Sequence, residues 1–139
     1  MKIFNTGIYA NTTGDTDIID ITHDVSEKVL QSNMSNGNIT VFVSGSTAAV
    51  TTIEFESGVI HDLMMAIERI APRDIHYEHD RRWGDGNGYS HVRAALLGAS
   101  LTIPLMEKRP MLGTWQQIVL LDFDNRPRRR EVKIQIIGE

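Results

Sequence analysis

Ile118-Val119-Leu120-Leu121 is the stretch that decides how this chain folds: four apolar residues in a row, with no polar residue between them. A strand with one wet face alternates apolar and polar residues; a strand without alternation is covered on both faces. This run therefore predicts a central strand, over Gln116 to Phe123, with packed layers on either side. The rest of the composition agrees. The chain has 16 Ile and 9 Val against 9 Leu, a bias toward β-branched side chains that suits pleated sheet better than helix. Further strands are expected at Ile3 to Tyr9, Asp17 to Thr22, Ile39 to Ser44, Val50 to Phe55, Leu101 to Leu105 and Val132 to Ile137. In the last of these, Val132, Ile134 and Ile136 alternate with Lys133 and Gln135, which reads as one wet face. Pro104 cannot donate to a ladder and marks an edge or a bulge.

Three helices fit between the strands. The first follows Thr22, carries Val25, Val29, Leu30 and Met34 as apolar positions, and stops at Asn36-Gly37. The second, over Gly58 to Ala71, places Val59, Ile60, Leu63, Met64, Ile67 and Ile70 on one face and ends at Pro72. His61 and Glu68 fall opposite that face, and Asp62 falls beside Arg69 on a flank. The third runs from Tyr89 to Leu97, packs through Val92, Leu96 and Tyr89, and stops at Gly98.

The 139 residues suffice for one domain, residues 1–139, with a single core. With 41% hydrophobic residues, disorder is not expected. The absence of Cys excludes disulfides, thiolate metal ligands and cysteine nucleophiles. The start of the chain lacks the apolar core of a signal peptide and no segment has the length of a membrane span, so a cytoplasmic protein with no membrane partner is expected. The net charge of −4 and the 6% aromatic content argue against nucleic acid as a partner.

Chemistry concentrates in Pro72 to Gly88, PRDIHYEHDRRWGDGNG, a 17-residue polar stretch. Three of the five His lie between His76 and His91, among Arg73, Arg81, Arg82 and Trp83. The plain reading of such a segment is a solvated loop. The functional reading is an anion site: Gly84, Gly86 and Gly88 lead into the third helix, and free amides at a helix start suit phosphate. His91, in the first turn, can donate to a phosphate oxygen or move a proton, or simply pack. His79 and His91 with His76 or His61 could also hold zinc or another transition metal, although no HExxH-like spacing supports this. Glu54 and Asp62 are candidates for acid–base work or for a divalent ion such as Mg²⁺. Arg126, Arg128, Arg129 and Arg130 form a basic knot before the last strand, either a solvated turn or a phosphate-binding group.

Four patches together resemble the YjbQ-like family, the secondary thiamine-phosphate synthases. They are Ser46-Thr47-Ala48-Ala49-Val50-Thr51 with Glu54 and His61-Asp62; Tyr77-Glu78-His79-Asp80; Ser90-His91 through Ser100 with Pro104; and Gly113-Thr114-Trp115-Gln116. The resemblance spans roughly residues 20 to 138 in order. It implies an α+β fold of sandwich-like, mainly antiparallel sheets with about three helices, a homotrimer, and a polar site between subunits. The implied activity joins a hydroxymethylpyrimidine diphosphate to a thiazole phosphate and releases diphosphate, as a weak side activity. Phosphorylated small molecules are the implied partners. The resemblance gives His79, His91 and Glu54 as catalytic candidates, and Thr47, Asn87, Trp115 and Gln116 as binding or supporting residues. Arg82, Gly88 and Arg128 join them as phosphate-binding candidates, and His79, His91 and Asp62 as candidate metal ligands. Relatives carry His where this chain has Gly45, so a cage of three imidazoles is not expected. Lys108 stands where relatives have Gly, and Asp124-Asn125-Arg126-Pro127-Arg128 replaces an acidic-Gly-Pro-Arg turn. The alternative to the enzyme is a non-catalytic protein that binds a phosphorylated metabolite or a metal ion through the same loop.

Overall fold

The computed structural model describes residues 1–139. In chain order its elements are β1 (Lys2–Thr12), β2 (Asp17–Asp20), α1 (Thr22–Ser32), β3 (Gly37–Val43), β4 (Ala48–Ile53), α2 (Ser57–Ile70), α3 (Glu78–Trp83), α4 (Gly88–Leu97), β5 (Ser100–Met106), β6 (Arg109–Pro110), β7 (Gln117–Asp122) and β8 (Arg128–Gly138). Two sheets form, of order β1-β8-β3-β5-β6 and β2-β7-β4, and every pairing is antiparallel. The architecture is the α+β sandwich expected from the sequence, with a fourth helix.

Strand β7 is the centre of the smaller sheet, and Ile118 to Leu121 are fully buried. Its two faces serve two cores. Ile118 and Leu120 meet Val41, Ile134, Ile136 and Ile103 between the sheets, where α1 adds Val25 and Val29. Val119 and Leu121 face the other way, with Phe123, onto Ile67 of α2 and Ala94 of α4. The unbroken apolar run is thus the sequence of a strand clamped between a sheet and a helical layer. In β8, Val132, Ile134 and Ile136 point inward and Lys133 and Gln135 outward, as their alternation predicts. Pro104 pairs with Asn38 of β3 on one side, while β6 reaches only Leu105 and Met106 on the other. The missing donor therefore costs no ladder bond.

Some sequence expectations need correction. Helix α1 ends at Ser32 because Asn33 takes the left-handed conformation (φ 58°), and Leu30 is exposed. The Pro72 to Gly88 segment is not all loop: Glu78 to Trp83 form α3, closed by Gly84 at φ 68°. On α4, Val92 and Leu96 face outward, and the packed positions are Tyr89, Ser90, Arg93 and Ala94. Arg93 can be buried because it donates to the Ala71 carbonyl oxygen (3.0 Å), pairs with Glu68 of α2, and lies over the Tyr89 ring. On α2 only Ile67 is fully buried, and Ile70 and Met64 are exposed, so this helix lies loosely on the sheet. Its start is capped by Glu56, which accepts from the amides of Gly58 and Val59 at 2.8 Å each. None of the helices is long and apolar enough to cross a membrane.

Candidate functional site

The antiparallel pairing of β4 and β7 gives the smaller sheet two chemically distinct ends. At one end lie the start of β4, the end of β7 at Asp122 and the start of α4. At the other lie the end of β4 and the start of β7, where Ile53 pairs with Gln117.

His79 on α3 and His91 on α4 come together at the first end, with ring centroids 4.3 Å apart and planes tilted by 40°. The close approach of α3 to α4 depends on Gly88, since a Cβ there would lie 2.6 Å from Cβ of Tyr77. The Gly88 amide donates to Oδ1 of Asp80 at 2.9 Å. The chain's own carboxylate therefore occupies this part of the glycine-rich helix entrance. Burial, and next the charge of His79, push the His91 pKa below the ordinary imidazole value. At neutral pH His91 is an uncharged donor and acceptor.

Beneath the imidazoles lies a buried polar network. Asp124 accepts from Thr47 Oγ1 (3.0 Å), Asn87 Nδ2 (3.2 Å), the Asn125 amide (2.8 Å) and Arg128 Nε (2.9 Å). Burial works to raise its pKa, but these donors prevail, Asn87 foremost, and bring it down to about 2. Asp122 is gripped side-on by Arg130, through Nε at 2.7 Å and Nη2 at 2.8 Å, and also accepts from Thr12. Arg130 Nη2 also donates to Thr47 Oγ1 at 2.6 Å. Thr47, Asn87 and Arg128 are thus braces that tie the β3–β4 turn, the start of α4 and the β7–β8 turn to one carboxylate.

The sequence alone points to neither Asp122 nor Asp124, and it leaves Arg130 in a basic knot that reads either as a solvated turn or as a phosphate-binding group. A signal was available. Carrying the inward alternation of Val132, Ile134 and Ile136 two steps back puts Arg130 and Arg128 on the same face. Arg129 falls outside that face, over the ring of Tyr9.

Among metal-ligating groups, His79, Asp80 and Asp85 offer atoms within 4.8 Å of one another. His79 Nδ1 is buried without a hydrogen-bond partner, 3.6 Å from Asp80 and 3.4 Å from Asp85. One imidazole nitrogen with two carboxylates fits a divalent ion of the Mn²⁺ to Zn²⁺ kind better than Mg²⁺, which favours oxygen ligands. Asp62 does not join this group: its side chain is 86% exposed, near the start of α2.

The remaining candidates lie elsewhere. Arg82 is exposed on α3. Glu54 is exposed just past the end of β4, six residues of strand from Ala48 and thus about 20 Å from the His91 end. Trp115, 71% exposed, and Gln116 precede β7 at that same far end. Gln116 is held in place by donating to Thr52 Oγ1 (3.0 Å) and accepting from the Gly113 amide (3.0 Å).

Comparison with known proteins agrees with this architecture. The chain matches the model of the family described as UPF0047 protein YjbQ-like over residues 6–139. It is 34% identical over its full length to a UPF0047 protein of Methanothermobacter thermautotrophicus, covering 95% of that protein. It is 30% identical to the UPF0047 protein YugU of Bacillus subtilis, over 91% of this chain and 94% of that one. A crystal structure of a YbjQ-like protein of unknown function from Sulfolobus solfataricus superposes with a TM-score of 0.94, at 32% identity and 99% coverage of both chains. With its whole sandwich matched as well as its sequence, the chain belongs to the UPF0047 family of YjbQ-like proteins.

Proposed function

We propose that this protein joins a hydroxymethylpyrimidine diphosphate to a thiazole phosphate, releasing diphosphate, at a site centred on His79 and His91 and completed by neighbouring copies of the chain in a homotrimer. The observation that carries the reading is the close, tilted imidazole pair beside the Asp122–Asp124–Arg130 network. In the reaction the bond between the pyrimidine methylene carbon and the diphosphate oxygen breaks, and its electron pair leaves with the diphosphate. The thiazole nitrogen then forms a bond to that carbon. Catalysis of this kind consists of positioning two phosphorylated fragments and stabilising the charge of the leaving group. His91, neutral at rest, donates a hydrogen bond to the departing oxygen, and an adjacent anion raises its affinity for a proton. His79 supports it from across the ring contact, and Arg82, exposed on the same short helix as His79, and Arg128, which also braces Asp124, add positive charge for phosphate. A divalent ion held by His79, Asp80 and Asp85, when bound, supplies positive charge to phosphate oxygens.

The separation of Glu54, Trp115 and Gln116 from the imidazoles supports a site shared between subunits. A pocket that uses both sets of residues needs the far end of a second chain. The His79–Asp80–Asp85 cluster also favours a second reading, a non-catalytic protein that holds a metal ion or a phosphorylated metabolite. One experiment separates them: the purified protein is given both precursors with Mg²⁺ or Mn²⁺ and diphosphate release is followed. Turnover that falls in His91→Ala and His79→Ala supports the enzyme. Binding of precursors without release supports the second reading, and turnover untouched by both substitutions removes the imidazoles from the site.

A further inference from the structure

Arg130 has one guanidinium nitrogen that the fold does not use. Nε and Nη2 satisfy Asp122, and Nη2 also serves Thr47, whereas Nη1 donates to no acceptor in the chain. The side chain is only 9% exposed, so the group is held rigidly from behind. Nη1 is aimed at Gly45: a Cβ built there would lie 2.9 Å from it, and Gly45 has φ +121°, a conformation L side chains rarely adopt. The space beside Nη1 is therefore kept open by the residue that faces it. Gly45 and Ser46 line, together with His91 and Ala95, a groove of about 280 Å³. In the same turn the amides of Gly45, Ser46 and Thr47 make no hydrogen bond within the chain. Successive free amides beside a fixed guanidinium make an anion-binding concavity. The Asp122 pairing needs only the Nε and Nη2 side of the fork, so Nη1 remains available to an external acceptor.

We infer that the Gly45 side of this groove seats the terminal phosphate of a diphosphate-bearing substrate, with Arg130 Nη1, which abuts Gly45 from outside the groove's own lining, as a donor and His91 on the groove wall. The inference rests on the reading of the site as one that releases diphosphate, and adds a binding residue and a place for the leaving group. Arg128, whose Nε and Nη2 both engage Asp124, is then the weaker phosphate ligand of the two arginines.

Inorganic diphosphate is the probe, titrated calorimetrically into the folded full-length protein and into four variants, Arg130→Lys, Gly45→Ala, Arg128→Lys and His91→Ala. Arg130→Lys keeps the charge near Asp122 but loses the fork, and Gly45→Ala keeps the guanidinium while its Cβ crowds Nη1 and strains the turn. Both are expected to weaken diphosphate binding by about tenfold or more, since one charge-assisted donor is lost, and Arg128→Lys by less. Should either of the first two fail to fold, a crystal of the unmodified protein soaked with diphosphate decides. A phosphate oxygen within hydrogen-bond distance of Arg130 Nη1 supports the assignment, and an anion held elsewhere overturns it. Binding that weakens in His91→Ala but is unchanged in Arg130→Lys and Gly45→Ala overturns the Arg130 subsite and leaves the function standing. No diphosphate binding by the unmodified protein overturns both.

Discussion

The two ends of the smaller sheet differ in how completely one chain builds them. At the His91 end, Asp122, Asp124 and Arg130 are buried and mutually bonded, and Thr47 and Asn87 are fixed on them. At the other end Glu54, Asp62 and Trp115 stand in solvent, with Phe55 exposed among them. A buried ionic network is retained at a cost in desolvation, and its contribution here is geometry: it holds the start of α4 and two turns in register under the imidazoles. Exposed acidic and aromatic side chains at the far end gain nothing from the fold of their own chain. The difference is what the proposed shared site requires: one half built within the chain and one half left exposed to a neighbouring copy.

The His91 end is most vulnerable at Asp122. Asp122→Ala strips buried Arg130 of its bidentate carboxylate and leaves it only Thr47 and Asp124, 3.8 Å away, and urea unfolding is expected to show a loss of about 3 kcal/mol. A loss under about 0.5 kcal/mol would mean that the network does not hold the His91 end together. Next in size, His91→Ala is expected to lower diphosphate release by about 10²–10³, the usual effect of removing one placed donor, while the unfolding midpoint changes little. The half-buried position of His91, on a helix anchored by Tyr89, Ser90 and Arg93, makes that separation of activity from stability possible.

A pH series reads the same end through Asp124. Its folded pKa of about 2 lies below the ordinary carboxylate value, so the unfolded chain binds the proton more readily. Its stabilisation is full above the unfolded carboxylate pKa of about 4 and is lost as pH falls toward about 2. In Asp124→Asn that acid-dependent loss should shrink; an unaltered pH dependence would show that other carboxylates dominate it. His91 acts in the same direction at higher pH, because its lowered pKa makes the folded state resist a proton that the unfolded chain takes up. The smallest effect belongs to the other end: Glu54→Gln should shift stability by less than about 0.5 kcal/mol, as expected of an exposed side chain, yet reduce turnover if a neighbour's imidazoles need it. A large stability loss would contradict its place in solvent.

How much of this was legible in the sequence follows from where the partners of each residue lie. The run Ile118 to Leu121 and the alternation in β8 report burial directly, because a strand's faces are written in its own period. Arg93 is different. It takes an inner position of α4 only because Glu68 and the Ala71 carbonyl, on a separate helix, accept its donors, while Val92 and Leu96 turn outward. Helix α3 has six residues and no fully buried position, so no apolar period announces it. The imidazole pair was readable as a cluster of histidines, but its support was not: Asp122 and Asp124 meet Thr47, Asn87 and Arg130 only through long-range folding.

A site made from the His91 end of one chain and the Glu54 end of another is open to subunit complementation. His91→Ala and Glu54→Gln proteins are each prepared, then mixed under conditions that exchange subunits, and diphosphate release from the two precursors is measured. Mixing is predicted to restore activity that neither variant has alone, since some contacts then bring an intact His91 to an intact Glu54. Mixed oligomers as inactive as their parents would contradict it.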